Sequence, residues 1–260
     1  MCFQWVSCTE PDVTTPQEPY QTSLLCFVVE GHSQQEVLLY RTTSVSDRAY
    51  NFYYPPGTFW SAQELYFIRD ATVQLQNAAG TSYPLHTVYD TSDGLRPRSY
   101  YTNSDSLIFS PGDQFSVSVQ LEDKTITGGA IIPGAFEILH PAPNDTLPRE
   151  DQYYVRLDAT WSRSSRAAGY LVVLSSVVVY DDSVTRRNIY SYQSFSTVDT
   201  TLSTLVGNIY GSGECTLEVI AYDGNYYEHR FRDALRVGIE GPAYGFCAGG
   251  IARSIPVTIR

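Results

Sequence analysis

The stretch "SLIFSPGDQFSVSVQL", residues 106–121, decides the fold class. Ser110-Pro111-Gly112-Asp113 carries the residues of a tight turn, with proline presetting φ and glycine supplying the open conformation. Beyond the turn, Phe115, Val117, Val119 and Leu121 alternate with Gln114, Ser116, Ser118 and Gln120. A period of two puts the apolar set on one face of a strand. The next segment, "KTITGGAIIP" (124–133), supplies a natural antiparallel partner.

The same rhythm extends in both directions. "LLCFVVEG" (24–31) and "EVLLYR" (36–41) read as a hairpin, and "ATVQLQ" (71–76) turns through "NAAG" into "TSYPL" (81–85). Later, "YYVRLDATW" (153–161), the β-branched run "YLVVLSSVVVY" (170–180), "ECTLEVIAYD" (214–223) and "IPVTIR" (255–260) read as strands. Between them, "LHPAPNDTLP" (139–148) has the proline content of a short, stiff linker. No segment has the pattern of a long amphipathic helix; "STVDTTLSTLVGN" (196–208) is read as holding one short helical turn. The fold class expected is all-β: two consecutive β-sandwiches, spanning 22–140 and 141–260, after a leader and flexible tether at 1–21; the resemblances below imply an Ig-like first and a fibronectin type III-like second one.

Composition bounds the function. The chain has 260 residues, a formal net charge of −11 and a single lysine, Lys124. An acidic surface repels phosphate backbones, so no nucleic-acid partner is expected. The 21 tyrosines suit half-buried strands, whose rings pack while their hydroxyls stay wet. Of the five cysteines, Cys2, Cys8, Cys26, Cys215 and Cys247, no two form a CxxC pair, and none has a histidine at zinc-finger spacing. No metal or cofactor is expected. Cys26 falls in an apolar strand and reads as core, whereas Cys215 and Cys247 are either a bridged pair or two separate buried thiols.

The beginning of the chain, "MCFQWVSCTEPDVTTPQEPY", places Val6-Ser7 before Cys8 and follows it with a polar, proline-rich spacer. This is similar to a bacterial lipoprotein signal shortened at its start. Cys8 would then carry the lipid anchor, with the spacer holding the folded part off the bilayer. An ordinary frayed terminus is the competing reading.

Candidate sites are few. "AYDGNYYEHR" (221–230) gathers Asp223, Asn225, Glu228 and His229, yet it lacks the further acidic ligands of a calcium loop. It reads as a strand ending in an Asp-Gly-Asn turn, with Glu228 and His229 facing opposite ways. His32, His86 and His140 are scattered, and no G-x-S-x-G motif is present. The paired acids Glu150-Asp151 and Asp181-Asp182 read as solvated turns. No catalytic residue is assigned. The aromatic run "YNFYYPPGTFW" (50–60) is the binding candidate, with Tyr53, Tyr54, Phe59 and Trp60 as its rings. These rings either pack back on the sandwich or meet a partner or a sugar.

Two resemblances sharpen the expectation. "LDATWSRSSRAAGYLVV" (157–173), with "TLEVIAYD" (216–223), resembles the strands of fibronectin type III domains, where a core tryptophan ends one strand and Gly-Tyr begins the next. The pieces "LLCFVVEGHSQQEVLLYRTTSVSD", "ATVQLQNAAGTSYPL", "FSPGDQFSVSVQLEDKTITGGAIIP", "IAYDGNYYEHR" and "IEGPAYGFCAGGIARSIPVTI", in that order, resemble a Bacteroidetes-type family of outer-membrane lipoproteins of unknown function. That resemblance implies an Ig-like or transthyretin-like first domain, envelope location, no known catalysis, and company with TonB-dependent receptors. The function expected is therefore a non-catalytic envelope lipoprotein acting by protein–protein contact, its partner an outer-membrane transporter or another envelope protein. An adhesin module binding glycans or surfaces through aromatic loops is the alternative. A hydrolase using His140 or His229 between the domains is the third reading.

Overall fold

The computed structural model describes residues 21–32, 35–42, 68, 70–90, 96–102, 109–151, 153–181, 186–207 and 213–260. The chain is nearly all β, a sandwich-type fold of several mostly antiparallel sheets with one helix among the described residues.

The longest element, β17 (Ala243–Ile259), organises the rest. Its first half runs parallel to β1 (Gln21–Glu30), and its second half runs antiparallel to β14 (Gly213–Tyr222). On one side of this centre, β14 pairs β11 (Gly169–Asp181), which pairs β12 (Arg186–Thr197). On the other side, β1 forms the expected hairpin with β2 (Gln35–Thr42), which pairs β5 (Arg96–Thr102) and through it β4 (Ser82–Asp90). β4 changes sheets along its length: residues 82–85 pair β3 (Thr72–Asn77), and residues 86–90 pair β5. The sheet then continues through β6 (Gln114–Leu121), β7 (Lys124–Ile131) and the short β16 (Ile239–Glu240). A separate three-stranded sheet orders β13 (Thr201–Gly207), β10 (Tyr154–Trp161) and β8 (Ile138–His140).

The alternation in sequence is spent on two cores. Leu24, Cys26 and Val28 of β1, Val172 and Leu174 of β11, and Leu217 and Val219 of β14 point into one continuous core. Val117 and Val119 of β6 meet it from one covering sheet, and Val155 and Leu157 of β10 from the other. The intervening residues Leu25, Phe27, Val29, Val173, Ile220 and Phe246 point to the opposite face. There they are covered by α1 (Gly224–Phe231), whose Tyr226 ring stacks on Phe27 at 4.8 Å. Strands buried on both faces read as unbroken apolar runs, which explains "LLCFVV". Trp161 fills the main core as the sequence indicates, 5.3 Å from the Tyr170 ring.

Three local readings need correction. Residues 201–207 of the stretch read as a helical turn form β13, because Leu202, Thr204 and Val206 turn inward with strand period. The Asp-Gly-Asn "turn" is the start of α1. The proline-rich 139–148 is tied down rather than free: Asn144 N–H donates to the Pro256 carbonyl at 2.7 Å, and β9 (Thr146–Leu147) pairs β17. The division expected near residue 140 is crossed by the β1–β17, β7–β16 and β8–β10 pairings, and the main core runs through it.

Candidate functional site

Tyr53, Tyr54, Phe59, Trp60 and Cys8 lie outside the described residues. The stretch 221–230 is fully described, and its chemistry is structural. Asp223 is the N-cap of α1: its Oδ1 accepts from Tyr226 N–H at 3.1 Å, satisfying an orphan donor of the first turn. Its Oδ2 accepts from Gly249 N–H of β17, also at 3.1 Å. Asn225 Nδ2 donates to the Cys247 carbonyl at 2.8 Å and to the Gly129 carbonyl at 3.2 Å. Two side chains thereby weld α1, β7 and β17 together. His229 and Arg230 fall in the last turn, where cations suit the helix dipole. The His229 ring lies 4.6 Å from that of Phe246, and its Nδ1 sits 3.0 Å from the Ala234 carbonyl.

A cleft of about 510 Å³ opens at this weld, lined by Gln114, Gly129, Ile131, Arg166, Asp223 and Asn225 among others. Burial pushes the Asp223 carboxyl up to about 6, against the backbone hydrogen bonds that favour its charged form. A carboxylate with a raised pKa in a cleft is the usual sign of a reactive group. Here both oxygens already accept backbone hydrogen bonds, and no cluster of three metal-ligating side chains stands among the described residues. The arrangement holds elements together.

The other histidines do not converge on it. His32 Nε2 lies 3.0 Å from Glu218 Oε1, linking the end of β1 to β14, and His140 is exposed on β8. Cys215 faces Val257 across β14 and β17, and Cys247 lies ten residues back along β17. At about 3.3 Å per residue that separation is roughly 33 Å, so these two thiols are separate. Burial raises Cys215 to about 11, leaving it an unreactive thiol.

The surface feature that sequence reasoning missed is the outer face of β10 and β13. Register pairs Tyr154 with Gly207, Arg156 with Leu205 and Asp158 with Ser203, all pointing away from the core. Tyr154 is 44% exposed and Leu205 48%. The tyrosine ring lies over Gly207, where a Cβ would stand 3.0 Å from it. Arg156 is held between acids: its Nε donates to Asp158 Oδ2 at 3.2 Å, and an Nη lies 3.5 Å from Glu150 Oε1. The Ser203 hydroxyl donates to Asp158 Oδ1 at 2.5 Å and, with Arg156, holds that carboxyl below its usual range. Alternation in "YYVRLDATW" already put Tyr154, Arg156 and Asp158 on one face. Leu205 was hidden because its segment was read as helical.

No protein-family model matches the sequence, and no curated protein matches it.

Proposed function

We propose that the chain is a non-catalytic lipoprotein of a bacterial envelope that works by protein–protein contact, as an accessory of a TonB-dependent outer-membrane receptor. The contact reading is carried by the outer face of β10 and β13. Tyrosine and arginine are the residue types in which binding energy concentrates. Here they flank an exposed leucine, with Asp158 and Glu150 fixing the guanidinium and forming a polar rim. Among the described residues β13 pairs only β10, so its outer edge offers backbone groups to which a partner strand can add. The receptor, the envelope setting and the lipid anchor at Cys8 rest on the family resemblance and on the Val6-Ser7-Cys8 motif. The proline-rich spacer would then give this face its reach.

The test is recovery of the receptor from detergent-solubilised outer membranes, with the full chain as bait. The wild-type chain is expected to retain a TonB-dependent receptor. Leu205→Asp, which places a charge in the middle of the face without touching the core, is expected to lower recovery about tenfold or more. Recovery of no receptor, or recovery unchanged by Leu205→Asp, contradicts the reading.

A further inference from the structure

Cys26 and Cys247 are register partners across the parallel pair β1 and β17. Neighbouring strands stand about 4.8 Å apart, within the Cα separation of about 4.4–6.8 Å that a disulfide spans. Both residues belong to the main core and neither is exposed to solvent. Both thiols are free and buried in the structure. Space for the pair is preserved by Gly128 of β7, where a Cβ would stand 2.8 Å from the Cys247 Cβ. Cys215, the other cysteine among the described residues, lies on β14 opposite Val257, ten residues along β17 from Cys247, and cannot compete for either partner.

We propose that Cys26 and Cys247 are joined by a disulfide in the mature chain. It forms by thiol–disulfide exchange with a disulfide-bearing oxidant. One cysteine thiolate attacks the oxidant's S–S bond, giving a mixed disulfide and releasing one oxidant thiol. The second cysteine then displaces the other oxidant sulfur. The two cysteine sulfurs lose two electrons and two protons; the oxidant takes both and becomes two thiols. The buried thiols of the folded protein are shielded from such attack, so exchange takes place as β17 docks beside β1. The bond fastens a strand near the start of the chain to the last strand, constraining most of the unfolded chain. It needs an oxidising compartment, as the exported reading supplies, and it does not depend on the proposed receptor.

The experiment unfolds and reduces the full chain, refolds it with reduced and oxidised glutathione, alkylates the remaining thiols and digests before aspartate. Cleavage there separates Cys26 in 12–46, Cys215 in 199–222, Cys247 in 233–260, and Cys2 with Cys8 in 1–11. The expected product joins 12–46 to 233–260, with 199–222 alkylated. Reducing the refolded, undigested chain is expected to lower its Tm by about 5 °C or more. Cys215→Ser keeps both the link and the Tm difference, and Cys26→Ser loses both. Recovery of 12–46 and 233–260 both alkylated, or of 12–46 joined to any other peptide, overturns the proposal whatever the variants do.

Discussion

At the residue scale, Asp223 shows how a group with the chemistry of a site is tied into the fold. Its two oxygens are filled by the N–H groups of Tyr226 and Gly249, and burial holds its pKa near 6 against an ordinary 3.8. Because the folded value is raised, the fold binds a proton that the unfolded chain releases. Its contribution is therefore fully present below about pH 4 and is lost as pH rises to about 6. In that window the Asp223 term is expected to fall by about 2–3 kcal/mol. Asp223→Asn should flatten it in urea titrations at pH 4 and pH 6, whereas an unchanged slope would place the proton elsewhere. Asp223→Ala leaves two buried donors unpaired and is expected to cost about 2–3 kcal/mol at neutral pH by urea unfolding. Trp161 makes the opposite case. Among the described residues its indole N–H has no hydrogen-bond partner. Trp161→Phe should therefore cost only packing, about 1–2 kcal/mol, against about 3–5 kcal/mol for Trp161→Ala. Equal losses from the two would show that volume is not what this residue supplies.

At the element scale, strands were legible and the helix was not. The alternation of 115–121 survives in the burial of β6, and that of 215–219 in β14, where residues 219–222 are all buried. β6 has one buried face, so period two is sufficient information there, whereas the end of β14 is covered on both faces. The helix α1 has eight residues, too short for its own periodicity, and opens with Asp-Gly-Asn, which favours turns equally well. What selects helix is tertiary: Tyr226 stacked on Phe27 and the cap shared with β17. The outer face of β10 and β13 was half legible, since alternation exposes Tyr154 and Arg156 but cannot reveal that Leu205 stands opposite. Close approach between elements is likewise invisible in sequence. Gly249 of β17 passes β7 so closely that a Cβ would lie 2.3 Å from the Ile131 carbonyl oxygen. Gly249→Ala is expected to cost about 2–3 kcal/mol in urea unfolding by forcing the two strands apart. A loss below 0.5 kcal/mol, roughly the scale of a surface change, would mean that the contact yields freely.

At the scale of the whole molecule, linear order and spatial order diverge. Reading the chain from one end to the other suggests two sandwiches in succession, because the strand rhythm pauses at 139–148. That pause is a proline-rich crossing pinned to β17 by Asn144 and by Thr258, whose N–H donates to the Asp145 carbonyl at 2.9 Å. β17 then pairs with β1 through one half of its length and β14 through the other, so a cut near residue 140 separates hydrogen-bonded neighbours. Long-range parallel pairing of this kind leaves no local signature. Alternating faces on both sides of residue 140 meet in the main core, closed by β17. Scanning calorimetry of the full chain tests it most directly. A single transition whose calorimetric and van't Hoff enthalpies agree is expected; two separable transitions, or a stably folded fragment ending at residue 140, would show that the two halves do not share a core.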